Sequence, residues 1–305
     1  MPKARDAVVR EPTVVVGVDG SAGGRHAFHW AIEEARVRRA RLRAVYAWDP
    51  PRPVSPIGSI ISPYDIPGLE QSAKQLLEDA IDDVLQHSSA PFREIEPRLA
   101  RGYPPKVLLD QASDGDLLVV GTRGRGGFGG LLLGSVSQHC VTHATGPIAV
   151  VPAVAPLPDA ADVVVGVDGS EGSKTALRFA VAEAAIRGAR LAVVHSWWAQ
   201  PPTTRAGFLF TSMDREAFVA SARKLLRDMT DEVIAEADRS PARVEVLPLE
   251  APPGRGLLDR AKSAGLLVVG SRGRGGFAGL FLGSVSQQCV HHATCAVVVV
   301  PQREQ

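Results

Sequence analysis

Two stretches of this 305-residue chain combine glycine, arginine and serine at a spacing that suits a bound anion. They are Gly121-Thr-Arg-Gly-Arg-Gly-Gly-Phe-Gly-Gly-Leu-Leu-Leu-Gly134-Ser135 and Gly270-Ser-Arg-Gly-Arg-Gly-Gly-Phe-Ala-Gly-Leu-Phe-Leu-Gly283-Ser284, both reading Gly-x2-Gly-x9-Gly-Ser. Each follows an apolar run, Leu117 to Val120 or Leu266 to Val269, and leads into a segment of helical character, Val136 to Ala144 or Val285 to Ala293. A glycine-rich loop between a strand and a helix N-terminus turns backbone N–H groups and the positive helix end toward one point, which suits a phosphate. Arg123, Arg125, Arg272 and Arg274 add charge, and Ser135 and Ser284 can cap the helix or donate to an oxyanion. Glycine at 121 and 270 is expected to let the backbone approach the ligand closely.

Asp19 and Asp168, each in Val-Gly-Val-Asp-Gly-Ser, are the other candidates. Asp-Gly-Ser after a strand is already a turn and helix-cap signature. A ligand role is nevertheless favoured, because in a doubly wound sheet ligands sit beyond the strand carboxyl ends where the winding reverses. If the strands ending at Asp19 and Gly121 are neighbours there, the aspartate faces the glycine loop.

Three other patterns have less support. Gly124-x-Gly126-x-x-Gly129 and Gly273-x-Gly275-x-x-Ala278 match the dinucleotide fingerprint, but that motif joins the first strand directly to a helix and wants an acidic residue about 20 positions on. Here the loop continues to Gly134 and no Asp or Glu follows until Asp159. Gly172-Ser-Lys-Thr175 resembles a P-loop tail without the glycine before the lysine, so Lys174 reads as a helix start. Cys140 and His143, with Cys289, His291, His292 and Cys295, form no four-ligand set with zinc spacing; buried cysteines and a histidine near a helix end are expected.

The elements that must position these residues come twice. Thr13 to Ser21 matches Asp162 to Ser170, and Gly17, Gly121 and Gly134 pair with Gly166, Gly270 and Gly283 at a constant separation of 149. From Gly121 to His143, 18 of 23 positions are identical to Gly270 through His292. This is a tandem duplication, with expected domains at 1–152 and 162–305 and a proline-rich linker at 153–161. The first copy reads as strands at 13–18, 42–47, 92–99, 117–121 and 148–151, with helices over 22–40, 68–86, 104–112 and after the glycine loop. The second has strands near 163–168, 190–196, 243–249, 266–270 and 296–300. Strand runs without polar alternation imply burial on both faces, and alternating strands and helices imply parallel sheets with right-handed crossovers. The fold class is therefore α/β, with two tandem doubly wound domains. Residues 49–67 and 198–212 read as proline-rich excursions over the surface.

Composition narrows the class further. A hydrophobic content of 45% supplies two cores, aliphatic ones given 5% aromatics, and a net charge of +1 argues against a nucleic-acid or membrane-surface binder. The arginines between Arg36 and Arg43 read as a solvated helix face. Three cysteines point to a reducing compartment, and with no signal-like or membrane-length apolar run the expected location is the cytoplasm.

With Val-Gly-Val-Asp-Gly-Ser opening each copy, Gly-x2-Gly-x9-Gly-Ser in each loop, and Ser-Val-Ser-x-x-Cys-Val-x-His-Ala leading to each last strand, the chain resembles the universal stress protein family in its tandem form, over roughly residues 12–152 and 161–301. The resemblance implies a five-stranded parallel sheet in order 3-2-1-4-5 in each domain, helices on both faces, and ATP as cofactor, with or without magnesium, up to two per chain. Carried over by residue, Asp19 and Asp168 contact the adenosine portion, and the backbone at Ala47 and Ser196 reads the adenine edge. Gly121, Gly124, Gly134 and Ser135, with Gly270, Gly273, Gly283 and Ser284, hold ribose and phosphates. Gly17, Arg123, Val136 and Ser137, with Gly166, Arg272, Val285 and Ser286, complete the two sites. No catalytic residue and no metal ligand is assigned. With no carboxylate pair in the loops to orient water, the expectation is a stress-linked nucleotide sensor; the alternatives are a weak ATPase or nucleotidyl-transfer enzyme, and an interaction scaffold with structurally held nucleotide. Whether a nucleotide such as cyclic AMP competes stays open. The order 3-2-1-4-5 leaves the apolar last strands, Ile148 to Val151 and Ala296 to Val300, as edges that invite pairing. They are expected to pair within the chain, with a homodimer as a further step.

Overall fold

Valine and leucine occupy successive strand positions on both sides of the pleat, so these strands are stable only when covered on both faces. The computed structural model, which describes residues 11–49, 66–88, 95–124, 133–158, 162–198, 212–274 and 282–302, meets that demand. The first half runs β1 (Thr13–Gly17), α1 (Ala22–Arg38), β2 (Arg41–Trp48), α2 (Ile66–Gln86), β3 (Ile95–Arg101), α3 (Pro104–Gln111), β4 (Leu117–Gly121), α4 (Ser135–His143) and β5 (Ile148–Val151). The second runs β6 (Val163–Gly166), α5 (Glu171–Arg187), β7 (Arg190–Trp197), α6 (Ser212–Ala235), β8 (Arg243–Glu250), α7 (Pro253–Ala261), β9 (Leu266–Gly270), α8 (Ser284–His292) and β10 (Ala296–Val300). The expected strand start at Phe92 lies outside the described residues, as do most of the proline-rich stretches at 49–67 and 198–212 and the end of the linker.

The ten strands among the described residues form one sheet in the order β3-β2-β1-β4-β5-β10-β9-β6-β7-β8. Within each half every pair is parallel and the order is the expected 3-2-1-4-5. At the seam β5 and β10 run antiparallel, with Val150, Ala149 and Ile148 opposite Val297, Val298 and Val299. The apolar edges are thus consumed within the chain, which removes the unpaired backbone groups each half alone would present.

Alternate strand residues feed two layers. Val14, Val16, Val163, Val165 and Val298 pack with Phe28, Leu77, Leu177 and Leu226 from α1, α2, α5 and α6. Val15, Leu118, Val164, Val297 and Val299 pack with Leu108, Cys140, Leu257 and Cys289 from α3, α4, α7 and α8. Each layer crosses the seam without a break.

The expected solvated arginine face is corrected here. Arg41 is exposed, but Arg36 pairs with Glu33 at 2.6 Å and Arg43 with Glu96 at 2.8 Å. Arg38 is drawn into a buried cluster where α1 meets α5. There Arg38 Nε lies 2.7 Å from Glu34 and Nη2 lies 2.6 Å from Glu183, while Arg187 Nη2 reaches Glu34 at 2.7 Å and Glu183 at 2.9 Å. Glu34 and Glu183 are 0% and 1% exposed. Burial works to raise the Glu34 carboxyl, but the Arg187 and Arg38 guanidinium groups hold it below its ordinary value. At Glu183 burial and the nearby Glu34 charge prevail over Arg38, and the carboxyl is raised.

Candidate functional site

β1 hydrogen-bonds to β2 on one side and β4 on the other, so the winding reverses between β1 and β4. Chain segments leaving those two strands diverge and open a cleft of about 490 Å³, and the equivalent point between β6 and β9 opens one of about 470 Å³. Both volumes suit a small-molecule ligand.

Asp19 stands at the end of β1 and closes its own turn: Oδ1 accepts from the Ser21 N–H at 2.9 Å and from Ser21 Oγ–H at 2.7 Å. Ser21 Oγ in turn accepts from the Gly24 N–H at 2.9 Å and caps α1. The turn-and-cap reading of Asp-Gly-Ser is therefore real, and the carboxylate also lines the cleft. Asp168 repeats this with Ser170 at 3.0 and 2.6 Å, and its Oδ2 accepts from the Arg274 N–H at 2.8 Å. Burial alone would raise Asp168; the hydrogen bonds from Ser170, Arg274 and Ser173 hold it below its ordinary value.

The opposite wall is the N-terminus of α4, or of α8. The Gly134 N–H donates to the Thr122 carbonyl at 2.7 Å, which pins the glycine loop shut at its base, and the Gly283 N–H does the same to Ser271. Gly134 and Gly283 are themselves the N-cap residues, and among the described residues no side chain caps either helix. Ser135 and Ser284, expected as possible caps, are instead the first helical residues. The first intrahelical bond is Gln138 N–H to the Gly134 carbonyl, so the amides of Ser135, Val136 and Ser137 have no acceptor within the helix. Ser137 Oγ donates to the Gly121 carbonyl at 2.5 Å and Ser286 Oγ to Gly270 at 2.6 Å, fastening each helix start over its strand end.

Every candidate site residue lies at one cleft or the other. Gly17, Asp19, Ala47, Gly121, Arg123, Gly124, Gly134, Ser135, Val136 and Ser137 line the first. Gly166, Asp168, Ser196, Gly270, Arg272, Gly273, Gly283, Ser284, Val285 and Ser286 line the second. Arg274 lines the second cleft too, while Arg125, Gly126, Gly129, Gly275 and Ala278 lie outside the described residues. Tyr46, Leu108 and Pro104 in the first cleft, and Pro253 in the second, were not anticipated. The prolines that open α3 and α7 were readable as helix starts but gave no sign of facing the strand ends.

Several glycines also have a reason within the fold. A Cβ on Gly121 would meet the Gly23 carbonyl oxygen at 3.0 Å, and one on Gly270 the Gly172 oxygen at 2.9 Å. Within the chain their close approach is therefore to the first turn of α1 or α5, at positions that also line the clefts. A Cβ on Gly17 would press on Leu108, and one on Gly124 would come 2.3 Å from Asp19 Oδ2. Gly134 and Gly283 differ, because the nearest atom to an added Cβ is a carbonyl oxygen at 3.5 Å.

The rival patterns find structural places. Lys174 is in the first turn of α5, 3.3 Å from Glu171. All three cysteines are buried, with burial pushing Cys140 and Cys289 up to about 12 and Cys295 to about 11. No group of three or more His, Cys, Asp or Glu among the described residues is placed to hold a metal ion.

The model of the universal stress protein family matches residues 12–152 and again residues 161–301. The chain belongs to the universal stress protein family. The universal stress protein Rv1996 of Mycobacterium tuberculosis is 34% identical over 312 residues, covering 95% of this chain and 95% of that protein. Rv2005c, of the same organism, is 31% identical over 306 residues, covering 95% of this chain and 97% of its own length. Among solved structures, a universal stress protein from Archaeoglobus fulgidus covers 95% of this chain and 98% of its own, with a TM-score of 0.66 at 17% identity, a likeness of fold.

Proposed function

We propose that this universal stress protein binds ATP, one molecule in each cleft, and serves as a nucleotide-sensing regulator of a stress response in the cytoplasm. The observation that carries the reading is the pairing, made twice, of an aspartate at the first strand's end with a helix N-terminus that no side chain caps. Amides with no acceptor within the helix, together with the helix dipole, favour a phosphate chain at α4 or α8. Arg123 and Arg272 stand beside it, and a base and ribose extend toward Asp19 and Ala47, or Asp168 and Ser196. A magnesium ion would arrive on the nucleotide's phosphate oxygens, keeping several of its waters. Each cleft's carboxylate is already turned toward its own loop, which favours holding a nucleotide over cleaving it. The near-neutral chain offers no basic field for nucleic acid, and no described helix is long and apolar enough to cross a membrane. Because β5 and β10 are used within the chain, a homodimer would form through another surface.

The test is mass spectrometry of nucleotide released from freshly purified, denatured protein, with its stoichiometry. About two ATP per chain is expected by the reading. Gly134→Asp and Gly283→Asp should each remove one, since an N-cap aspartate takes the helix amides for its own carboxylate and repels phosphate. Purified protein that carries no nucleotide and binds none on addition would overturn the assignment.

A further inference from the structure

The two clefts are built alike at the phosphate end and differently at the other. Ala47, at the end of β2, has Ser196 as its counterpart at the end of β7, and Gly102 and Val107 have Ala251 and Gly256. In the first half the bulk sits at Val107, whose Cγ2 would lie 3.2 Å from a Cβ on Gly102. In the second half a Cβ on Gly256 would come 2.5 Å from Ser196 Oγ and 3.3 Å from the Ala251 methyl. Volume has been moved from one member of the trio to the other two, and the serine has a place made for it.

That serine has a fixed hydrogen-bonding sense. Its hydroxyl donates to the Ala251 carbonyl at 2.7 Å, so the oxygen has lone pairs left and no hydrogen to give. Ser196 lines the second cleft and lies across β6 from β9 and the glycine loop, two strand spacings or roughly 10 Å away. A nucleotide with its phosphates at α8 therefore brings its base to this corner. A 6-amino purine offers an N–H donor there; a 6-oxo purine offers a second acceptor, which the oxygen can meet only by giving up Ala251.

We propose that Ser196 is a specificity-determining residue that makes the second cleft select 6-amino over 6-oxo purines through a side-chain oxygen, a device the first cleft lacks. The proposal rests on the nucleotide reading above. Ala47 contributes a methyl group, so the first cleft has no side-chain oxygen at that strand position.

The experiment compares ATP with inosine triphosphate by calorimetric titration of the full chain, with one cleft closed at a time. In the Gly134→Asp chain, which reports the second cleft, ATP should be preferred. Adding Ser196→Ala should lower ATP affinity by about fivefold, the worth of one hydrogen bond, and leave inosine triphosphate binding equal or tighter. In the Gly283→Asp chain, which reports the first cleft, the preference should start weaker and rise on Ala47→Ser with Val107→Gly, which supplies the serine and the space beside it. An unchanged ATP preference in a folded Ser196→Ala chain, with ATP still bound, overturns the role of Ser196 and leaves nucleotide binding standing. No ATP binding in the second cleft of the Gly134→Asp chain overturns the nucleotide reading there, and this inference with it.

Discussion

Glycine recurs through both clefts, yet its missing side chain serves different neighbours at different positions. At Gly121 a methyl group would sit 3.0 Å from the Gly23 carbonyl oxygen and 3.2 Å from its carbon, both backbone atoms. Gly121→Ala should therefore cost stability, about 1–3 kcal/mol for overpacking against a chain that cannot rotate away, whether or not a ligand is present. At Gly134 the backbone already has N-cap geometry, φ −75° and ψ 158°, and the added Cβ finds ordinary contacts. Gly134→Asp should leave the thermal midpoint equal or slightly raised, because aspartate is a better N-cap than glycine by a few tenths of a kcal/mol, while the first cleft loses nucleotide. Thermal unfolding and nucleotide stoichiometry on the same two variants separate the cases. A Gly121→Ala protein as stable as wild type would remove the packing account.

The helices show what could be read in the sequence and what could not. α1 and α5 were legible because Ser21 and Ser170 open them and alanines recur at helical spacing. The glycine-loop helices were legible within one residue, the slip arising because a serine looks like a cap and glycine is a weaker cap signal. The ion cluster was not legible. The arginines from Arg36 to Arg43 read as a solvated face, and only the fold brings Glu183 and Arg187, 149 residues on from Glu34 and Arg38, against that helix. Glu34 and Glu183 each contact both guanidinium groups, so the cluster is testable as a unit. Glu34→Gln should destabilise by about 3–5 kcal/mol, since it leaves two guanidinium groups short of a buried counter-charge. The pH dependence should change as well. A carboxyl held low, as at Glu34, contributes stability above the unfolded carboxylate range that is lost as pH falls, so Glu34→Gln should flatten the acid limb of the stability curve. Urea unfolding across pH 4 to 8 reads both; a Glu34→Gln chain as stable as wild type, with the same acid limb, would contradict the role given to the cluster.

At the scale of the whole molecule, the antiparallel seam fixes where the clefts lie. Five strands point one way and five the other, so the two sets of strand carboxyl ends, and with them the two clefts, open at opposite edges of one continuous sheet. β1 and β6 are five strand steps apart, about 24 Å, with β4, β5, β10 and β9 between them. The strands that carry the glycine loops, β4 and β9, each pair with a seam strand, so the scaffold of each cleft leans on the same interface. Apolar edges of this kind were readable from Ile148 to Val151 and Ala296 to Val300; that they would complete one sheet follows because no other partner within the chain offers ten strands without an exposed edge at the centre. Val298, 0% exposed and opposite Ala149, is the position at which to test the dependence. A carboxylate there is buried without a partner where the first layer crosses the seam, so Val298→Asp should destabilise by several kcal/mol and lower nucleotide occupancy in both clefts together. Gly134→Asp and Gly283→Asp, acting inside one cleft, should each leave the other filled. Stoichiometry and thermal midpoint measured on the three variants decide the point: loss confined to one cleft in Val298→Asp, or a midpoint unchanged from wild type, would mean the halves stand independently and the seam is only where they touch.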